Sequence, residues 1–258
     1  MLNFKTVNIT AAVVFIGLLI VSAIYGISIW WFLIFGLLWL IVTGMGSAFI
    51  GWNYHITSIN FCSKPSKNQI AITFDDGPNP EFTPRVLDLL EAHKAKATFF
   101  CIGKHIASYP EIFQRILDEG HTVGNHTFSH TNGFGFLPTA KVVSELLQTN
   151  AVAKKHSGLV LNLYRPAFGV TNPNIAKALK ILGMQSIGWN KRSLDTTSIS
   201  EAQILRRITK RLKAGDVILL HDTSEKSVRV LEQLLLFLRQ KNLESVSVDS
   251  LCNIKAYA

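Results

Sequence analysis

Negative charge is missing from the first quarter of the chain. Residues 1–67 hold no Asp or Glu, and their only charged side chains are Lys5, Lys64 and Lys67. All 17 acidic residues and all but three of the 26 basic ones lie beyond, so the formal +9 splits into +3 and +6. Cysteine is also scarce. Cys62, Cys101 and Cys252 show no CxxC spacing, which excludes a thiolate metal cluster and a disulfide framework. Cys101 reads as a small core residue, and Cys62 and Cys252 flank the charged region, where pairing stays open. No dense basic run carries interleaved aromatics, which sets nucleic acid aside as a partner. Internal repeats and low-complexity stretches are absent too, excluding solenoids and long disordered tails.

What fills the acid-free region is apolar. From Ile9 to Ile50 there is no charged residue, and one bilayer span needs about 20 apolar residues. Gly26-Ile27-Ser28 interrupts the run, so two transmembrane helices are expected, about 9–25 and 29–50, joined by a tight turn. Trp30, Trp31, Trp52 and Tyr54 stand where interfacial aromatics gather. A cleaved signal peptide, with Lys5 ahead of an apolar stretch and small residues near Ser22-Ala23, is the competing reading. A mature chain does not normally resume with another long apolar run, so anchoring to the lipid bilayer is preferred. The expected organisation is a membrane anchor with linker over 1–65 and a globular domain over 66–258, giving a multi-pass membrane protein. The few lysines flank both ends of the hairpin and point the domain inward by the positive-inside rule.

Beyond residue 66, short apolar runs alternate with helical patterns. Strands are expected at 70–74, 97–100, 122–125, 161–164, 185–189, 216–220 and 245–248, and helices at 84–93, 111–119, 140–156, 174–182, 204–212 and 228–240. Val228, Leu231, Leu234, Leu235 and Leu238 follow the spacing of one buried helix face. Seven strands alternating with six helices predict parallel βαβ units, as an open sheet or a barrel. In either, functional groups collect at the C-terminal strand ends.

The residues just past those ends are Asp75-Asp76-Gly77-Pro78, His126 to His130, Arg165 with Phe168-Gly169, Asp195, and His221-Asp222. One edge of the domain thus gathers carboxylates, imidazoles and a guanidinium. His126 and His130 are four apart, so on a helical turn both rings face one way, a spacing that suits two imidazoles on one metal. A carboxylate from the Asp pair completes a two-histidine, one-carboxylate set with positions left for water and substrate.

In order and spacing, ITFDDGP (72–78), HTFSH (126–130), RPAFG (165–169) and LLHD (219–222) resemble the motifs of the polysaccharide deacetylases, carbohydrate esterase family four. That family includes the nodulation-type chitooligosaccharide deacetylases, chitin and peptidoglycan deacetylases and some xylan esterases. The resemblance covers about 68–251 and implies an α/β fold, an irregular (β/α)7 barrel. It further implies a divalent metal, usually zinc, on Asp76, His126 and His130, with Asp75 as catalytic base and Arg165 orienting it. The Phe168 N–H would be an oxyanion donor, His221 the general acid and Leu219 a wall of the acetyl pocket. The substrate would be an acetylated polysaccharide outside the cell or in the periplasm, which conflicts with the orientation the lysines suggest.

The chain departs from the family pattern in two places. Where the fourth motif usually reads Asp-x-x-Asp-Trp, this chain has Arg192-Ser-Leu-Asp195-Thr196, so Asp195 must tune the acid histidine alone or His221 has a lower pKa. Phe168 stands where Tyr is usual. His93, His105 and His156 read as surface residues, His55 as interfacial, His121 as lying at the opposite strand end, and Asp222 as a turn stabiliser. Two further readings share the fold or the ligand set. One is a catalytically inactive sugar-binding membrane protein, and the other a non-haem iron oxygenase on two histidines and a carboxylate.

Overall fold

In the computed structural model, residues 3–65 and 67–258 are described. Ser66, where the composition changes, lies outside them. Two helices come first, α1 (Phe4–Tyr25) and α2 (Trp30–Ala48). The Asn3 side chain caps α1, and Gly26 ends it in the left-handed region at φ 64°, where glycine carries no Cβ penalty. At 1.5 Å per residue they run about 33 and 28 Å, matched to a hydrocarbon core about 30 Å thick. Mean hydropathy is 2.5 and 1.8. No residue of α1 is buried, and of α2 only Gly46 is. α1 begins five residues before the expected span because Asn3 supplies a cap that hydropathy does not register.

The rest is a curled parallel sheet wrapped by helices. Its strands are β1 (Gln69–Asp75), β2 (Ala97–Cys101), β3 (Thr122–Asn125), β4 (Leu163–Tyr164), β5 (Gln185–Ser186), β6 (Lys191–Arg192), β7 (Val217–His221) and β8 (Glu244–Ser245). The order is β5-β4-β3-β2-β1-β7-β6, with β8 on the start of β1, and every pairing is parallel. The helices are α3 (Thr83–Ala92), α4 (Gly103–Ser108), α5 (Pro110–Asp118), α6 (Thr139–Ser157), α7 (Pro173–Leu182), α8 (Glu201–Thr209), α9 (Glu225–Gln240) and α10 (Val248–Cys252). β1 is buried from its second residue onward, and Ile70, Ile72, Phe74, Phe99, Val123, Ile218 and Leu220 share one core with α3 and α9. That apolar run, broken only by Thr73 with its hydroxyl donating to Ile218 O, suits a strand covered on both faces. The architecture agrees with the expected α/β barrel class, in the form of a half-barrel.

Several element bounds differ from expectation. Of the last expected strand only Ser245 remains in β8 before the chain turns into α10, whose Val248 N–H is taken by Thr98 Oγ1. α8 starts three residues early because Ser200 and Gln203 form a capping box. β6 and α4 are too short to leave a periodic signal.

The linker is built into the sheet. Ile59 pairs in parallel with Ile187, and Phe61 pairs with Asp216. Ile59 N–H donates to Ser186 O, Gly188 N–H to Ile59 O and Cys62 N–H to Gly215 O. These residues therefore bridge the edge of β5 to the start of β7. Ile50, Tyr54, Ser58 and Asn60 are buried, so packing begins well before residue 66. Cys62 and Cys252 meet as free thiols, and burial together with the neighbouring Cys62 pushes the Cys252 thiol up to about 12.

Candidate active site

β1 ends in the two carboxylates, and each has its own surroundings. Asp75 is buried and takes Arg165 Nη1 on Oδ1 at 2.9 Å. Arg165 is fully buried, an arrangement tolerable only with every donor engaged. Its Nη1 also reaches Thr73 Oγ1, its Nη2 gives to Gly188 O at 2.8 Å and its Nε to Ile187 O at 3.3 Å. The guanidinium carbon lies 4.1 Å over the Phe100 ring. The second Oδ of Asp75 is left facing the cleft, 4.0 Å from His126 Nε2.

Asp76, His126 and His130 converge, their ligand atoms lying within 4.8 Å of one another. Asp76 Oδ1 is 3.4 Å from Nε2 of each histidine. His126 Nδ1 sits 3.0 Å from Arg165 O. It must be the protonated nitrogen there, which turns the Nε2 lone pair toward Asp76. Asp76 Oδ1 and His130 Nε2 are buried with no hydrogen-bond partner. Buried orphans of that kind call for an absent ligand, and two imidazoles with one carboxylate match a divalent zinc-type ion. Burial opposes charge on Asp76, but His126, His130 and His221 hold its carboxyl well below the ordinary range.

The helical turn expected for His126 and His130 is not there. Thr127 and His130 have φ of 67° and 48°, and no helix runs through the segment. Non-glycine residues there carry strain, so neighbours must impose the shape. Asn125 Oδ1 accepts Thr127 N–H. Glu145 Oε2, from α6, accepts the N–H groups of Phe128 and Ser129. Neither Asn125 nor Glu145 was singled out from sequence. His105, read as a surface residue, has Nδ1 2.8 Å from Asp76 O and braces the turn at Asp76 from behind.

His221 closes the other side. Its Nδ1 meets Asp195 Oδ1 at 2.8 Å, and its own N–H donates to Asp195 Oδ2 at 2.8 Å. Ser193 and Ser227 hydroxyls donate to the same carboxylate. His221 Nε2 stands 4.0 Å from Asp76 Oδ2. Burial alone would lower this imidazole, but Asp195, with Asp75 and Asp76 behind it, raises it to about 9. Asp195 is the largest of these raising partners, and the direction runs opposite to the lower pKa entertained for His221. Phe168, at φ 58° in a turn between β4 and α7, sets its ring 4.5 Å from that of His130. Leu219 lies on the cleft floor beside Thr73. Asp222 accepts the Thr83 hydroxyl and faces away from the cleft, under Gly77.

Asp75, Asp76, His126, His130, Phe168, Leu219 and His221 line a cleft of about 270 Å³, together with Trp189, Arg192, Leu194, Thr196 and Thr197. Of this wall the sequence singled out Asp195 and the departures at Arg192 and Thr196. Trp189, Leu194 and Thr197 gave no signal as cleft residues, because the stretch carries no periodicity and β6 is two residues long.

Fold and site together define an α/β half-barrel protein whose strand ends build a metal-competent centre flanked by a carboxylate–arginine pair and a carboxylate–histidine pair. Residues 63–187 match the family described as Polysaccharide deacetylase. A peptidoglycan-N-acetylglucosamine deacetylase of Bacillus cereus is 35% identical over 191 residues, covering 72% of this chain and 89% of that protein. A chitooligosaccharide deacetylase of Bradyrhizobium is 28% identical, covering 72% and 91%. The crystal structure of the Bc1960 peptidoglycan N-acetylglucosamine deacetylase superposes with a TM-score of 0.72 at 30% identity, over 77% of this chain and 94% of that one. The chain belongs to the polysaccharide deacetylase family, carbohydrate esterase family four.

Proposed function

We propose that this chain is a membrane-anchored hydrolase that removes acetyl groups from an N-acetylated sugar polymer, using a divalent cation held by Asp76, His126 and His130. The observation that carries this reading is the convergence of those three side chains beside a separate, Arg165-held Asp75. Bound there, a zinc-type ion supplies a Lewis acid that polarises the acetyl carbonyl and makes a nearby water acidic enough to attack. Asp75 Oδ2 takes the proton of the attacking water while Arg165 fixes Oδ1. The Phe168 N–H faces the developing oxyanion; one such donor is typically worth about 3–4 kcal/mol. His221 gives the Nε2 proton to the departing amine, and Asp195 keeps it protonated for that step. Leu219 and Trp189 enclose the acetyl methyl group.

The separate base and acid favour hydrolysis over oxygenase chemistry on the same ligand set, and their intact geometry speaks against an inactive sugar-binding protein. Relatives named for peptidoglycan and for chitooligosaccharide support the substrate class of N-acetylglucosamine polymers. An O-acetyl ester of xylan type is the alternative. α1 and α2 serve as a transmembrane hairpin. Against a signal peptide cut near Ser22-Ala23 stands the start of α1, where Phe4 N–H donates to Tyr54 O at 2.9 Å and the two rings lie 5.9 Å apart, edge to face. A polymer substrate of that kind supports a catalytic domain on the outer or periplasmic face, against the orientation read from the lysines. Acetate release from N-acetylglucosamine oligomers, with metal analysis of wild type and Asp75→Asn, tests the reading. Metal-loaded wild type that frees no acetate from any oligomer would overturn it.

A further inference from the structure

The anchor meets the domain at the wall of the cleft. Three residues past Phe168, Thr171 donates its N–H to Ser47 in the last turn of α2. One residue before Trp189, Gly188 lies against the linker, where an added Cβ would come within 3.2 Å of Ile50 Cδ1 and 2.0 Å of Asn60 Oδ1. Phe168 and Trp189 are both cleft residues. Three residues span at most about 11 Å, so the mouth of the cleft is fixed within roughly that distance of the helix end. Phe49 and Trp52 stack beside this junction and remain exposed, as aromatics do at the headgroup level of a bilayer.

The same wall opens onto a strongly basic groove. Arg192 lines both the cleft and an adjoining groove of about 560 Å³, whose other charged residues are Lys191, Arg206, Arg207, Lys210 and Arg211. No carboxylate lines it. Lys191 pairs with Asp216, but the other five cations make no ion pair among the described residues. Arg207 Nε donates to Arg192 O at 2.7 Å, which braces one edge. Gathering five unpaired cations repels unless an anion sits among them, and arginine forks suit phosphate oxygens. Arg192 also stands where the family resemblance places an aspartate, so the cleft rim has reversed its charge.

We propose that the substrate is an acetylated saccharide carried on a phosphate-bearing lipid of the same bilayer. Its phosphate sits in the groove of Arg192, Arg206, Arg207, Lys210 and Arg211, its sugar in the cleft and its lipid chain beside α2. This rests on the deacetylase reading and on the anchoring of the hairpin.

The test uses the full chain in phosphatidylcholine vesicles with zinc and one acetylated tetrasaccharide in three forms: free, on an uncharged glycolipid, and on a polyprenyl diphosphate. The diphosphate form should exceed the uncharged glycolipid in kcat/KM by about tenfold or more, the worth of one charge-assisted contact. The triple variant Arg206→Gln, Lys210→Gln, Arg211→Gln should lose that gain and keep the rate on the free tetrasaccharide. Equal rates on the two lipid-borne forms would overturn the proposal and leave the deacetylase reading standing. Acetate from no form would sink the deacetylase reading, and the groove is then judged by binding. The polyprenyl diphosphate form must shield Lys210 from an amine-reactive reagent where the uncharged glycolipid does not, and no difference in shielding again overturns it.

Discussion

The two halves of the sheet are built to different standards. β7, β1, β2 and β3 run four to seven residues in continuous register, and their ends carry Asp75, Asp76, His126 and His221. β4, β5 and β6 are two residues each, and the linker spans the gap beside them. From this ragged half come Arg165, Phe168, Trp189, Arg192 and Asp195. On the proposed mechanism, the groups that would hold a metal and activate a water follow the ends of the stiff strands. Those that would orient the base, face the oxyanion or line the sugar cleft come from the irregular ones, where sequence can vary without unmaking the sheet.

Removing a group from the stiff half should cost most. His126→Ala should abolish tight zinc binding, and losing several kcal/mol of charge stabilisation lowers acetate release about 10³-fold or more. The circular dichroism spectrum should be unchanged. Full activity after exhaustive chelation would refute the metal role. Asp75→Asn should lower the rate by about 10²–10⁴ while zinc content stays at the wild-type level, and parallel loss of metal would mean Asp75 is a ligand instead.

Asp195 tests how the halves are coupled. His221 is protonated below about 9, so the wild-type rate should hold until pH rises through that region and then fall, giving the basic limb of a bell. Asp195→Asn removes the principal raising partner and should move this limb down toward 6.5. At pH 8 the rate then drops roughly thirtyfold. A basic limb that does not move would take His221 out of the acid role.

The smallest expected effect concerns stability. Burial raises the Asp222 carboxyl to about 7, against its hydrogen bond from Thr83. A folded-state pKa above the unfolded one means that this group's contribution is complete below about pH 4 and is lost as pH rises through 7. Asp222→Asn mimics the protonated form, so its Tm relative to wild type should climb steadily between pH 4 and 8. A constant difference would place the titration elsewhere.

The contrast between the halves also explains what could be read beforehand. β1 and β2 were legible almost to the residue because strands buried on both faces appear as near-continuous apolar runs. β3, though only Val123 in it is strongly apolar, was placed within the same alternation just ahead of the HTFSH motif. The expectation of α/β architecture and of one functional edge followed from that. The His126–His130 turn was misjudged because a four-residue spacing is compatible with a helix, whereas the shape is imposed by Asn125 and Glu145 from outside the motif. Residues 53–61 looked like a tether because isolated bridges such as Ile59 with Ile187 have no periodicity to reveal them. Trp189 sits in the irregular stretch after β5, so its place on the cleft wall showed only in three dimensions, whereas Arg192 stood out beforehand as a departure from the fourth motif.

The seam made by the linker has a consequence for how such a chain can be recombined. Ile59 occupies the free edge beside Ser186 and Gly188, and Gly188 O in turn holds the guanidinium of Arg165. A barrel beginning at residue 66 and grafted behind a foreign leader would lack its own selvedge and would fray next to its base. Exchange of the N-terminal hairpin and its linker for another segment should therefore demand compensating changes along that border.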